Sequence, residues 1–201
     1  MTKIMSKFDW TSKIYDWVDY PFERFRYRPI RQRIWSGLSG KILDAGVGTG
    51  CNIPFYPKEA EVVGVDFSEG MLAKAAKKAE KFHVNVDLRQ ASVYDLPFPD
   101  RTFDTVVATF LCCVVDDPAR AARELKRVCK KEGRLIFLEY VLSKRPLRRL
   151  IQRSITPYTR LLFGVDFTQD TLGVLRREGY TILQVEDLTA DVLKLIFARS
   201  A

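Results

Sequence analysis

Three glycines at alternate positions, Gly46, Gly48 and Gly50, follow directly on the apolar pair Ile42-Leu43 and the carboxylate of Asp44. Glycine lets a backbone approach a ligand that a Cβ would exclude. A strand running into such a turn, with a helix beyond it, suits a nucleotide-like cofactor at the carboxyl edge of the strand. The spacing is G-x-G-x-G, and the third glycine of the dinucleotide pattern G-x-G-x-x-G would fall on Cys51, a departure from the usual dehydrogenase fingerprint. Asp66 ends the next apolar run, EVVGVD, roughly 20 residues after the loop, where a carboxylate accepts hydrogen bonds from both ribose hydroxyls. A lone Asp after a strand otherwise serves as a turn or helix cap.

The remaining reactive side chains point to no second centre. His83 is the only histidine and none of Cys51, Cys112, Cys113 and Cys129 forms a C-x-x-C pair, so no metal site is expected. The cysteines read as reduced, packed thiols of a cytoplasmic protein, although the Cys112-Cys113 pair also has a redox-active reading. His83 falls in a helix-to-strand connection and is expected on the surface.

These residues need a scaffold, and the periodicity supplies one. Short strands are expected at 41–44, 61–66, 84–88, 103–109 and 134–141. Ser68 caps a helix carrying Met71, Leu72, Ala75, Ala76 and Ala79. Asp117 and Pro118 open another through Val128, with Gly133 as its stop. Alternating strands and helices imply an α/β domain with a mostly parallel, doubly wound sheet. A basic amphipathic segment (144–163), a helix (169–178) and two strands (180–187 and 191–198) bring the expected sheet to seven strands. Residues 8–33 read as a helical cap interrupted by Pro21 and Pro29, with Trp10, Ile14, Trp17 and Val18 on one face. The expected organisation is one domain: cap 1–38, cofactor-binding core 39–141, amphipathic lid 142–168, closing helix and strands 169–201.

The chain has 201 residues, enough for one domain with a full core, and 47% hydrophobic with 29% charged residues marks an ordinary globular protein. Lys3 and Lys7 have no apolar segment behind them, so the start does not read as a secretory signal, and no run is long enough to span a bilayer. The formal charge of +8 favours nucleic acid, an acidic membrane face or an acidic substrate, and equally suits a solvated, charge-rich surface.

Residues 44–50 (DAGVGTG) resemble the first motif of class I S-adenosylmethionine (SAM)-dependent methyltransferases. Gly64-Val65-Asp66-Phe67-Ser68 with Met71 resembles the second, and residues 91–98 (ASVYDLPF) with Phe103-Asp104 the third and fourth. Glu124 to Val128 and Glu132 to Leu135 resemble the last helix and strand of that core, so the likeness covers about residues 40–140, in order. It implies a Rossmann-like methyltransferase fold with SAM as cofactor and S-adenosylhomocysteine as product. Gly46, Gly48, Thr49 and Gly50 would contact the methionine part of SAM, and Asp44 would orient the loop or the amino group. Asp66 would bind the ribose, Phe67 and Met71 would pack on the adenine, and Ser92 and Val93 would lie at its edge. Thr109 and Phe110 would end their strand near the reacting methyl. Many relatives carry Asp in place of Ser92.

Within the superfamily the chain is most similar to the branch of quinone-biosynthesis C-methyltransferases, bacterial phosphatidylethanolamine N-methyltransferases and membrane-associated thiol methyltransferases. Tyr15-Asp16, residues 110–114 (FLCCV), residues 138–141 (LEYV) and residues 164–168 (GVDFT) carry this likeness. Relatives often have His in place of Tyr140. An amine or thiolate acceptor needs no dedicated base, whereas a carbon or hydroxyl acceptor does. Tyr15, Tyr27, Glu139 and Tyr140 are the candidates, each with a packing or capping role as the alternative.

Leu147, Leu150, Ile151, Ile155, Tyr158, Leu161 and Leu162 recur at helical spacing among Arg145, Arg148, Arg149, Arg153 and Arg160. Such a helix lies on an anionic membrane or closes over the active site as a lid. The expected acceptor is accordingly lipid-like, first a phosphatidylethanolamine headgroup amine, with a quinone precursor or a soluble small molecule as alternatives. A peripheral place on the cytoplasmic membrane face goes with it. Nucleic acid is disfavoured, because Ala108-Thr109-Phe110-Leu111 lacks the [N/D]-P-P-[Y/F] pattern of base-amino methyltransferases. A non-catalytic SAM-binding regulator is the reading from another class.

Overall fold

The computed structural model describes residues 26–200. Tyr15 and most of the expected cap lie outside them. The chain forms two compact units, Met1–Val93 and Tyr94–Ala201. Seven strands make one sheet in the order β3-β2-β1-β4-β5-β7-β6.

In the first unit, Pro29 opens α1 (Arg28–Trp35) rather than interrupting it, because its fixed φ and missing N–H cost nothing in a first turn. Tyr27, Arg31, Ile34, Trp35 and Leu38 are buried at helical spacing, so an arginine sits on the inner face. Strands β1 (Lys41–Ala45), β2 (Glu61–Asp66) and β3 (Asp87–Gln90) pair in parallel. Helix α2 (Glu69–Phe82) begins at Ser68, whose Oγ accepts from the Met71 N–H at 3.2 Å. The third strand starts three residues later than its alternation suggests. His83 closes α2 in the left-handed region and the Val84 N–H returns to the Ala79 carbonyl, so Val84 still belongs to the helix end. His83 is exposed, as expected.

In the second unit, β4 (Phe103–Thr109) and β5 (Cys129–Tyr140) are parallel, and β7 (Leu193–Ser200) runs antiparallel to both β5 and β6 (Tyr180–Thr189). The antiparallel end follows from the short β6–β7 connection, since a tight turn can only reverse the chain. Asp117 caps α3 (Pro118–Val128) by accepting from the Arg120 N–H at 2.9 Å. Gly133 does not stop this helix, which ends at Val128. Phe103 pairs with Cys129 and Thr105 with Arg134, so Lys130, Lys131, Glu132 and Gly133 bulge between them. A Cβ on Gly133 would lie 2.6 Å from Cys129 Sγ and 3.0 Å from the Asp104 carbonyl, so its glycine serves close packing. Helix α4 (Pro146–Phe163) ends at Gly164 in the left-handed region, and α5 (Thr171–Arg177) precedes the closing hairpin.

Candidate functional site

Strand β1 ends at Asp44 and Ala45, and the chain turns at once. The N–H groups of Gly46 and Val47 both donate to the Val65 carbonyl at 2.9 Å, which ties the turn to the end of β2. Gly46, Gly48 and Gly50 have φ of 74°, 55° and 79°, where a side chain is strained. The two later glycines differ in purpose. A Cβ on Gly50 would sit 2.6 Å from Ile53 Cδ1 and 3.1 Å from Ala75 Cα, so this glycine seats the loop on α2. A Cβ on Gly48 would meet only the Gly46 carbonyl at 4.0 Å, leaving a bare backbone edge open to a ligand.

Two carboxylates hold this loop. Asp66 Oδ2 accepts from the Gly48 N–H and Oδ1 from the Ser68 N–H, each at 2.9 Å. Burial raises its pKa, while the Ser68, Gly48 and Phe67 backbone donors oppose the rise. Asp44 is fully buried and saturated differently. Asn52 Nδ2 donates to both of its oxygens at 3.0 and 2.9 Å, and the Tyr56 hydroxyl donates to Oδ2 at 2.5 Å. Arg31 Nη1 donates to Asn52 Oδ1 at 2.5 Å, which fixes the amide's orientation. Burial lifts the Asp44 pKa to about 6, against the pull of the Tyr56 and Asn52 hydrogen bonds and the Arg31 charge. Thr49 and Met71 are buried nearby in the chain, and Phe67, Ser92 and Val93 are half-buried.

The second unit holds the other candidates. Thr109 ends β4 and is buried. Phe110 follows at φ 57°, its N–H donating to the Leu138 carbonyl at 2.7 Å, a left-handed conformation unusual for an aromatic residue. Glu139 is fully buried on β5. Its Oε1 accepts from the Leu111 and Cys112 N–H groups at 2.8 Å, and its Oε2 from the Cys113 N–H at 3.3 Å. Burial raises its pKa to about 7, with those backbone donors opposing. The carboxylate therefore grips the turn after β4. Burial, reinforced by Glu139, also pushes the Cys112 and Cys113 thiols well up, so both are packed, protonated groups. Tyr140 is half-buried between Phe110, at a centroid distance of 5.2 Å, and Phe167, at 4.8 Å. Tyr27 is buried at the start of α1, in the first unit. Among the described residues no cluster of His, Cys, Asp or Glu is arranged to hold a metal.

The methyltransferase domain family matches residues 43–137. A phosphatidylethanolamine N-methyltransferase of Cereibacter sphaeroides is 38% identical over 148 residues, covering 72% of this chain and 73% of that protein. A ubiquinone/menaquinone biosynthesis C-methyltransferase of Syntrophotalea carbinolica is 31% identical over 194 residues, covering 86% and 81%. This chain belongs to the SAM-dependent methyltransferases. The fold agrees: a SAM-dependent methyltransferase of Thermotoga maritima superposes with a TM-score of 0.74 at 21% identity, over 98% of this chain and 99% of that one.

The first unit of the methyltransferase fits its cofactor. Asp66, held by backbone donors at the end of β2, is a carboxylate beside the loop that would accept from the ribose hydroxyls of SAM. The open Gly48 edge suits the amino-acid part of SAM. Three residues of the cradle, Arg31, Asn52 and Tyr56, are absent from the expected set. For Arg31 the signal was present, since Tyr27, Arg31, Ile34, Trp35 and Leu38 share one helical face. Asn52 and Tyr56 flank a one-turn helix, Ile53–Phe55, too short to leave a period.

Proposed function

We propose that this methyltransferase acts on a lipid-like acceptor, the headgroup amine of phosphatidylethanolamine, at an anionic membrane face. Helix α4 carries the reading. A surface helix ordinarily buries its apolar stripe. Here the buried residues of α4 are Gln152 and Thr156. Gln152 accepts from the Ser143 N–H at 2.7 Å and donates to the Val141 and Phe167 carbonyls. The apolar residues are left outside, with Leu147 at 70% exposure, Leu150 at 63%, Tyr158 at 69% and Leu161 at 65%. The segment 146–163 contains no Asp or Glu and carries Arg148, Arg149, Arg153 and Arg160. An apolar patch flanked by arginines, of which Arg148 and Arg160 also pair with Asp191 and Asp166, suits the interface of an anionic bilayer. Among the described residues no helix is long and apolar enough to cross a membrane.

The phosphatidylethanolamine N-methyltransferase relative supports the acceptor. Phe110, Tyr140 and Phe167 support it on chemical grounds, because aromatic faces attract ammonium groups. SAM, when bound, supplies a methyl already activated on a sulfonium. The protein then has to align the amine with that methyl and exclude water. An amine attacks only after losing its ammonium proton, which passes to solvent or to a nearby acceptor. Tyr140, half-buried among rings, would orient the amine, while Glu139 holds the turn that carries Phe110 and Leu111.

C-methylation of a quinone precursor is the second reading, favoured by the longer alignment with the C-methyltransferase relative. The test offers labelled SAM with phosphatidylethanolamine vesicles, a demethylated quinone precursor and a small thiol in parallel. Label in the phospholipid supports the proposal. Label in the quinone replaces it with the second reading, and label only in the thiol ends the lipid assignment.

A further inference from the structure

We propose that Arg31, Asn52 and Tyr56 are positioning residues for SAM, closing the base of the glycine loop through Asp44. The geometry is that of a staple. Asp44 lies just before the loop and Asn52 just after it, and the two side chains meet through a forked pair of hydrogen bonds at 3.0 and 2.9 Å. The next residue, Ile53, is fully buried, with its Cδ1 where a Gly50 Cβ would be. Displacing Asn52 therefore displaces the contact that seats the loop on α2. Arg31 sets the direction of the staple. An amide presents either its oxygen or its nitrogen, and the guanidinium at 2.5 Å claims the oxygen, leaving Nδ2 for the carboxylate. Tyr56 adds a donor to Asp44 Oδ2, and its ring lies 4.3 Å from Trp35 of α1. All four polar side chains are buried.

A buried carboxylate, a neutral amide and a buried guanidinium in series are costly to keep for packing alone. Removal of the cation leaves an uncompensated buried carboxylate. None of these side chains needs to touch the cofactor. They act through the loop backbone, whose middle is separately held by Asp66 at Gly48.

The charge pattern gives a readout that plain destabilisation would not move. Asp44 faces Arg31 on α1, Asn52 and Tyr56 beyond the loop, and Asp66 at the end of β2. Burial already lifts its pKa to about 6, and Arg31 opposes that rise. Without Arg31 the carboxyl holds its proton at higher pH. A protonated carboxyl is itself a donor and cannot accept all three bonds. The staple then opens in a pH range where the wild type keeps it shut.

The experiment measures SAM and S-adenosylhomocysteine affinity by calorimetry across pH, with thermal unfolding in parallel. Asn52→Ala should weaken binding about tenfold at every pH while still unfolding cooperatively. Arg31→Met should bind within about threefold of wild type near pH 8.5 and lose about tenfold near pH 6.5, a rise in the midpoint of the pH profile. Arg31→Lys, which keeps a buried cation, should return that midpoint toward the wild-type value. If Arg31→Met does not fold, Tyr56→Phe carries the same test, because losing one donor also raises the Asp44 midpoint. Unchanged affinity in Asn52→Ala, or a loss independent of pH in Arg31→Met or Tyr56→Phe, overturns the proposal.

Discussion

Residues 44–52 and helix α4 both take polar side chains into the interior, and the consequences run in opposite directions. Around the loop, Asp44 and Asp66 turn their oxygens on Asn52, Tyr56 and backbone N–H groups, and only the Gly48 edge stays bare. In α4, Gln152 and Thr156 take the inward hydrogen bonds and the leucines are left outside. Hydrogen bonds are directional and fix a shape to fractions of an ångström, which suits one small ligand. Apolar exposure is non-directional and fixes only a preference for another phase, which suits a fluid surface. One enzyme thus carries a site that must be rigid and a face that need not be.

The comparison breaks first if the loop does not depend on its carboxylates. Asp66→Ala removes the Gly48 tether together with the carboxylate expected to accept from the ribose. Hydrogen bonds to a charged group contribute about 1.5–3 kcal/mol, so SAM affinity should fall on the order of 100-fold. Equilibrium dialysis with labelled SAM reads this directly, and an unchanged affinity removes Asp66 from the site.

The other side breaks if α4 is not a surface for membranes. Leu147→Ser, Leu150→Ser and Leu161→Ser together remove apolar area that is already exposed, so folding should be nearly unaffected. Each side chain would bring about 1 kcal/mol or more to insertion, so sedimentation with anionic vesicles should fall more than tenfold. Neutralising arginines is a less direct probe, since Arg148 pairs with Asp191 at 3.1 Å and Arg149 donates to the Ser143 carbonyl. Equal sedimentation of the serine variant would return α4 to the role of a lid.

How much of this was legible in the sequence follows the same division. The strands, the glycine loop and Asp66 could be read from periodicity and spacing, because parallel strands and tight turns leave local signatures. The Gly133 bulge could not, since it depends on Cys129 and the Asp104 carbonyl across the sheet. Nor could the partners of Glu139, three backbone N–H groups some 27 positions away. The α4 pattern was legible as amphipathic, but a sequence does not say which face turns inward. Gln152 and Thr156 decide that through bonds to Ser143 and to a carbonyl of the helix itself.

Within the loop, Gly50 and Gly48 sharpen the contrast between seating and binding. Gly50→Ala places a Cβ 2.6 Å from Ile53 Cδ1 in a left-handed conformation, and should cost about 2 kcal/mol of stability. Gly48→Ala meets no such neighbour and should cost less in stability, about 1 kcal/mol, while weakening SAM more. Denaturant unfolding and SAM binding on both variants check the crossing. Parallel losses would mean that the two glycines share one role.

The smallest effect tests whether Glu139 belongs with the rigid carboxylates. Its pKa is raised from 4.5 to about 7 by burial. A carboxyl that holds its proton more tightly folded than unfolded stabilises the fold fully below the unfolded value, and that contribution is lost as pH rises through the folded one. The wild type should therefore lose about 1 kcal/mol between about pH 6 and 8. Glu139→Gln cannot ionise, so most of that slope should disappear, leaving the smaller fall near pH 6 that belongs to Asp44, whose pKa is raised to about 6. It should also be lower throughout, because the amide nitrogen replaces one acceptor and the N–H groups of Leu111, Cys112 and Cys113 need acceptors on both sides. Urea unfolding at several pH values separates the slope from the offset. A wild-type slope that persists in Glu139→Gln would assign the titration to Asp44, the other buried carboxylate whose pKa is raised in the same direction.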